Sequence, residues 1–155
     1  MTSLLFDTNT LIYWVYPDSP YHEEMLCLID EACVNQSTIC ALSSSLNEVY
    51  YILNRHYMSE TEARESLRDI VETFDLIDLT GLFVHEAIES DEPDYEDGLI
   101  REAAEELQVD AIISYDKAAF KNSFIPKMTA QEALESFFVN KTPTINLAGV
   151  RLFNT

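Results

Sequence analysis

The sequence predicts an α/β domain: a three-layer α/β/α sandwich with a central, mainly parallel sheet of four or five strands. Two observations carry this. Short runs of consecutive apolar residues recur along the chain, and longer amphipathic segments separate them. Consecutive rather than alternating apolar residues belong to strands buried on both faces. Strands separated by helices run parallel, with helices covering both sides of the sheet.

The apolar runs are residues 3–6, 38–42, 76–79 and 111–114, with a weaker one at 124–128. Between them, Ser19-Pro20 reads as an N-cap followed by proline at the first helical position, opening a helix to about Asn35. Ser59-x-x-Glu62 is a capping-box pattern before a helix reaching about Phe74, and Thr129-x-x-Glu132 repeats it before a last helix. Asp94 is placed to cap a helix running to about Val109. No repeat or linker divides the chain, so residues 1–139 are expected to form one domain. The tail, residues 140–155, holds strand-like pieces at 144–147 and 150–153, expected to pack on the domain or on a second copy.

At 155 residues with 47% hydrophobic and 24% charged residues, the chain is long enough for a sizeable core. The charge balance is one-sided: 28 Asp and Glu against nine Lys and Arg give a net charge of −19. This speaks against tight binding of nucleic acid through phosphate contacts alone, but not against a cation site built of carboxylates. It also points to a basic protein as any stable partner. Cys27, Cys33 and Cys40 are odd in number and match no zinc spacing, so they read as buried, reduced thiols in a cytoplasmic protein. Asp7 interrupts the only apolar run near the start, so no signal peptide is expected. No stretch reaches the roughly 20 apolar residues needed to span a bilayer, so no membrane partner is expected.

In a parallel α/β sheet, ligands bind at the carboxyl ends of the strands. Asp7 follows the first run directly, and Asp116 lies two residues after the fourth. Glu48 and Asp97 fall in the first turns of helices that begin or end near that same edge. Four carboxylates gathered there repel one another unless some are protonated or a cation intervenes. An oxygen-only set suits Mg²⁺ or Mn²⁺. Such an ion activates water and stabilises charge on a phosphate in transfer. Each acid also has a structural reading. Asp7 could simply end a strand. Glu48 could close a capping box on Ser45. Asp94 and Asp97 could favour a helix N-terminus, and Asp116 could start a turn before a helix at Lys117.

Four segments carry a resemblance: Leu4-Leu5-Phe6-Asp7-Thr8-Asn9, Leu46-Asn47-Glu48-Val49, Asp94-Tyr95-Glu96-Asp97-Gly98-Leu99-Ile100 and Asp110-Ala111-Ile112-Ile113-Ser114-Tyr115-Asp116. In order and context the chain resembles the PIN domains, including the VapC-type toxins of toxin–antitoxin pairs. The resemblance spans about residues 1–137. It implies that Asp7, Glu48, Asp97 and Asp116 are the catalytic and metal-binding quartet, with Asn9, Asp94 and Ser114 in supporting positions. It further implies a metal-dependent ribonuclease acting on an RNA substrate, a homodimer and an antitoxin partner.

The chain departs from the family pattern in three places. Tyr115 stands where a basic residue is common, and Gly98 where alanine is usual. Between residues 86 and 106 ten acids face one base, Arg101. The bases positioned to meet a phosphate are Arg101, four residues after Asp97, and Lys117 and Lys121 at helical spacing after Asp116. For Arg101, an i,i+4 pair with Asp97 is the structural alternative. Tyr13, Trp14 and Tyr16 read as core or dimer interface ahead of base stacking. The alternative function is a catalytically inactive PIN fold serving as a binding or assembly module, which the acidic surface favours. Haloacid-dehalogenase and receiver folds fit poorly, because Asn9 stands where the former needs a second acid and Asp78 lies inside an apolar run.

Overall fold

The computed structural model describes residues 1–138 and, for the tail, the backbone of residues 143–145 and 151–153. Five parallel strands form one sheet in the order β3-β2-β1-β4-β5. They are β1 (Ser3–Phe6), β2 (Thr38–Leu42), β3 (Asp75–Ile77), β4 (Ala111–Ile113) and β5 (Lys127–Met128). The helices are α1 (Thr8–Val15), α2 (His22–Val34), α3 (Ser45–His56), α4 (Glu60–Thr73), α5 (Gly81–Glu89), α6 (Tyr95–Leu107) and the short α7 (Ala130–Ala133), which runs on as a π-helical turn, Leu134–Phe138.

Alternate residues of each central strand feed two separate cores, which is why the apolar runs are continuous. Leu4 and Phe6, Ile39 and Ala41, and Ala111 and Ile113 pack with α1 to α4 and α7 on one face. Leu5, Cys40, Leu42 and Ile112 pack with α5 and α6 on the other. The three-layer sandwich is therefore as the sequence predicts. In the tail, β6 (Pro143–Ile145) and β7 (Arg151–Phe153) pair antiparallel; the rest of the expected pieces, at 146–147 and 150, lies outside the described residues.

Several local expectations need correction. The helix expected from Ser19 begins at His22, flanked by Tyr21 without a side-chain cap; the Ser19 hydroxyl instead donates to the Tyr13 carbonyl at 2.8 Å. Helices α1 and α5 were not legible, because neither segment alternates polar and apolar faces clearly. β3 is an edge strand, with Leu76 38% exposed, rather than a strand buried on both faces. Of the three cysteines only Cys40 is buried; Cys27 and Cys33 lie on the outer side of α2. The capping boxes at Ser59/Glu62 and Thr129/Glu132 are both present.

Gly98 marks a close helix contact. A Cβ there would stand 3.0 Å from Ser90 Oγ and 3.2 Å from the Ala87 carbonyl, so the missing side chain lets α6 lie close on the end of α5. This sets the position of the first turn of α6, which carries Asp97.

Candidate functional site

The chain winds outward from β1 to β2 and β3, then crosses to β4 and β5 on the other side of β1. The order thus reverses between β1 and β4, and the crevice at their carboxyl ends is where an open α/β sheet accepts ligands. Asp7 sits on this seam. Its amide donates to the Ile113 carbonyl of β4 at 3.2 Å. Its carboxylate caps α1, with Oδ1 accepting from the Thr10 amide at 3.0 Å. One residue therefore both ends the strand and starts the helix.

Asp7, Glu48, Asp97 and Asp116, the four acids singled out in the sequence, line one cavity of about 160 Å³ together with Thr8, Asn9, Asp94 and Glu96. They come from the end of β1, the first turns of α3 and α6, and the loop after β4. The capping box expected at Ser45 and Glu48 is absent: Ser45 is already inside α3, and the helix start has no side-chain cap. Glu48 is left to the cavity. Asp94 does cap α6, its Oδ1 accepting from the amides of Glu96 at 2.9 Å and Asp97 at 3.1 Å. Asp116 Oδ1 accepts from the Ala118 and Ala119 amides at 2.8 and 3.2 Å, and Oδ2 has no protein donor among the described residues. Ser114, 1% exposed, accepts from the Asp116 amide through its hydroxyl, which also lies beside Asp7 and favours that carboxylate's charged form.

The electrostatics follow from this crowding. Burial raises the Asp7 carboxyl above its ordinary range, against the lowering effect of Ser114 and Thr10, and Asp116 adds to the rise. Asp97 is pushed up to about 7, first by burial and then by Asp94, Asp7, Asp116 and Glu92. A carboxyl raised on folding stabilises the fold below its unfolded value near 3.8 and loses that contribution as pH rises through the folded value. The metal-free protein is therefore expected to lose stability between about pH 4 and pH 7, and Asp97→Asn to flatten that slope. Denaturant unfolding in a chelator across this range measures both.

The candidate phosphate contacts fare differently. Arg101 does not pair with Asp97 and does not line the acidic cavity. Its guanidinium bonds Asp91, Glu92, Glu105 and the Asn122 carbonyl. Residues after Asp116 form turns rather than a helix, so Lys117 and Lys121 do not share a helical face. Lys117 lines a second, larger cavity beside Asp116, whereas Lys121 is exposed and lines neither cavity. Tyr13, Trp14 and Tyr16 are half-buried packing residues: Trp14 meets Phe74 edge-on at 5.4 Å and Tyr16 stacks on Tyr57 at 4.4 Å. Sequence reasoning missed Glu96 and Thr8, each next to a residue it did single out. It also missed Lys127, whose ammonium donates to the carbonyls of Asp116 and, at 2.8 Å, Ala119, holding the Asp116 loop.

A family model described as PIN domain matches residues 3–118, which hold all four acids. The chain belongs to the PIN domain family. Among solved structures of this fold, VapC20 of Mycobacterium tuberculosis, a sarcin–ricin loop cleaving toxin, superposes with a TM-score of 0.60 at 12% identity, over 73% of this chain and 89% of that one. VapBC2 from Rickettsia felis, bound to a DNA fragment from their promoter, gives 0.61 at 15% identity over 83% and 98%. FitAcB from Neisseria gonorrhoeae gives 0.59 at 13% identity over 83% and 98%. At these identities the likeness establishes the PIN fold. No curated protein matches the sequence. No helix among the described residues is long and apolar enough to cross a membrane.

Proposed function

We propose that this PIN domain is a divalent-metal-dependent endoribonuclease, with Mg²⁺ or Mn²⁺ held by Asp7, Glu48, Asp97 and Asp116. The observation that carries the reading is the meeting of these four acids, from four separate elements, in one small cavity at the sheet's switch point. The donor chemistry fits: all the acidic side chains offer oxygen only, and Asp97 is pushed up to about 7 by burial first and then by the carboxylates around it. Among the described residues no three such side chains already surround a single point. Mg²⁺ and Mn²⁺ take oxygen ligands and keep several waters, so part of the quartet would hold the ion directly and the rest through water. When bound, the ion supplies an activated water and positive charge for the phosphate.

The chain's own residues do the positioning. Thr10 fixes Asp7, and the Ala118 and Ala119 amides fix Asp116. Ser114 ties these two acids together, and Asp94 holds the turn that presents Asp97. Asn9, exposed at the cavity wall, is free to orient a metal-bound water.

The solved neighbours include a sarcin–ricin loop cleaving toxin and a VapBC2 assembly on promoter DNA. They support a further reading of this chain as the toxin of a toxin–antitoxin pair: cytoplasmic, homodimeric and inhibited by a basic antitoxin. The net charge of −19 fits a basic partner and also favours the second reading, a PIN fold retained as a binding module. Cleavage separates the two. Incubation with single-stranded RNA should yield internal cuts with Mn²⁺ or Mg²⁺ and none in chelator. Failure to cut a broad RNA panel at any metal concentration would favour the binding module.

A further inference from the structure

Beside the acidic cavity lies a larger one, of about 440 Å³, and the two share Asp116. We propose that this larger cavity is a subsite for one unpaired guanine base next to the cleaved phosphate. The inference rests on the ribonuclease reading and adds a substrate preference to it.

Three features of the cavity select this occupant. The first is an aromatic platform. Tyr21 and Tyr115, both in its wall, stack with centroids 3.8 Å apart and planes 12° from parallel. Tyr13 supports the pair, edge-on to Tyr115 at 5.7 Å, and the Tyr115 hydroxyl accepts from the Ala130 amide at 3.3 Å. Fixed tyrosine rings of this kind stack on unpaired bases. The volume lies within the range of small-ligand pockets and accommodates a nucleoside.

The second feature is the polar lining. Glu24 and Glu132 both border the cavity. Glu132 uses Oε1 on the Thr129 amide in its capping box, and Oε2 has no protein donor among the described residues. An ionised carboxylate only accepts hydrogen bonds. Guanine alone among the four bases offers two adjacent donors, N1–H and the N2 amino group, on its pairing edge. Adenine and cytosine place an acceptor beside their amino group, and uracil flanks its single N–H with two carbonyls. Carboxylates therefore favour guanine and repel the acceptor edges of the other three.

The third feature is Lys117. Lys127, the other lysine here, is committed to backbone carbonyls. Lys117 makes no ion pair or side-chain hydrogen bond among the described residues and borders the cavity next to Asp116. It is the cation available for a phosphate flanking the base. Sequence reasoning treated Tyr115 only as standing where a basic residue is common; in the structure it is one of two stacked tyrosines in the cavity wall.

The test uses short single-stranded RNAs, uniform except for one position carrying guanosine, inosine, adenosine or uridine, cleaved with Mn²⁺. Inosine keeps N1–H and lacks only the N2 amino group. Cleavage next to guanosine should exceed that next to inosine by about tenfold or more, the usual worth of a paired base contact, and that next to adenosine or uridine by more. In Glu24→Gln/Glu132→Gln the guanosine-to-inosine ratio should fall towards one, a readout independent of overall activity. In parallel, guanosine 5′-monophosphate should shift the Tyr21 and Tyr115 ring resonances, and uridine 5′-monophosphate should not. RNA cleavage that is indifferent to the base overturns the guanine subsite and leaves the nuclease standing, with the cavity open to a protein side chain. Selective guanosine 5′-monophosphate binding without any cleavage supports the subsite and removes the nuclease. Neither cleavage nor nucleotide binding overturns both.

Discussion

Asp7→Asn is expected to abolish metal-dependent cleavage while leaving the metal-free fold as stable as before, or more so. The activity side follows from the site's chemistry. A bound metal ion supplies several kcal/mol of charge stabilisation, so losing a carboxylate that holds it should lower the rate by about a thousandfold or more. The stability side follows from burial. Asp7 is 4% exposed, and desolvation disfavours its charged form, so at neutral pH the carboxylate weighs against folding. Asparagine keeps the oxygen that caps Thr10 and is an equally good N-cap. In chelator the variant's Tm should equal or exceed that of the native protein; with millimolar Mn²⁺ the order should reverse, because only the native protein gains from binding. A variant that unfolds readily in chelator as well would show that Asp7 serves the fold rather than a cation.

Arg101→Ala is expected to cost about 3 kcal/mol, the usual cost of removing one partner from a buried charge pair. The guanidinium is 14% exposed and faces Glu92, 2% exposed, and Glu105, 15% exposed. Glu92 also accepts from the Phe120 amide at 3.0 Å, and Phe120 has a left-handed backbone with φ of 63°. Arg101 therefore ties α6 to the strained segment that follows the Asp116 loop. Without it, two or three carboxylates remain crowded together without a counterion. The fall corresponds to roughly 10 °C in Tm for a domain of this size, and Arg101→Lys should recover only part of it, since lysine cannot fork between several oxygens. Chemical denaturation measures the effect. A variant of native stability with a raised KM for RNA would instead restore Arg101 as a substrate contact.

These cases show what the sequence makes legible. That Asp7 and Asp116 meet was legible because strand ends in a parallel sheet are ordered by topology, and the apolar runs mark those ends. For Glu48 the fold removes the capping role, while Asp97 keeps its place in the first turn of α6 and also lines the cavity. The Ser45-x-x-Glu48 pattern is a sound capping box on paper, but α3 starts earlier, so the spacing no longer places Glu48 at a cap. Arg101 failed for a related reason. Spacing along α6 put Asp97 within reach, but spacing cannot see Asp91 and Glu92 folding back from the α5–α6 loop or Asn122 arriving from the other side of β4. Helix α1 was missed because Asp7 leaves no loop between strand and helix, and its residues Thr8–Val15 carry no charge to mark an outer face. The aromatic pair of Tyr21 and Tyr115 joins residues far apart in sequence whose meeting depends on where α2 crosses the end of β4.

Metal-dependent cleavage by this chain requires one cation-binding centre shared by Asp7 and Asp116. Calorimetric titration of Mn²⁺ and Mg²⁺ into the native protein and the Asp7→Asn/Asp116→Asn variant tests it most directly. Saturable binding by the native protein that is lost in the variant is the result expected. Unchanged binding in the variant, or none by the native protein up to millimolar metal, would contradict the metal centre and leave an acidic PIN fold without the means to cleave RNA by this route.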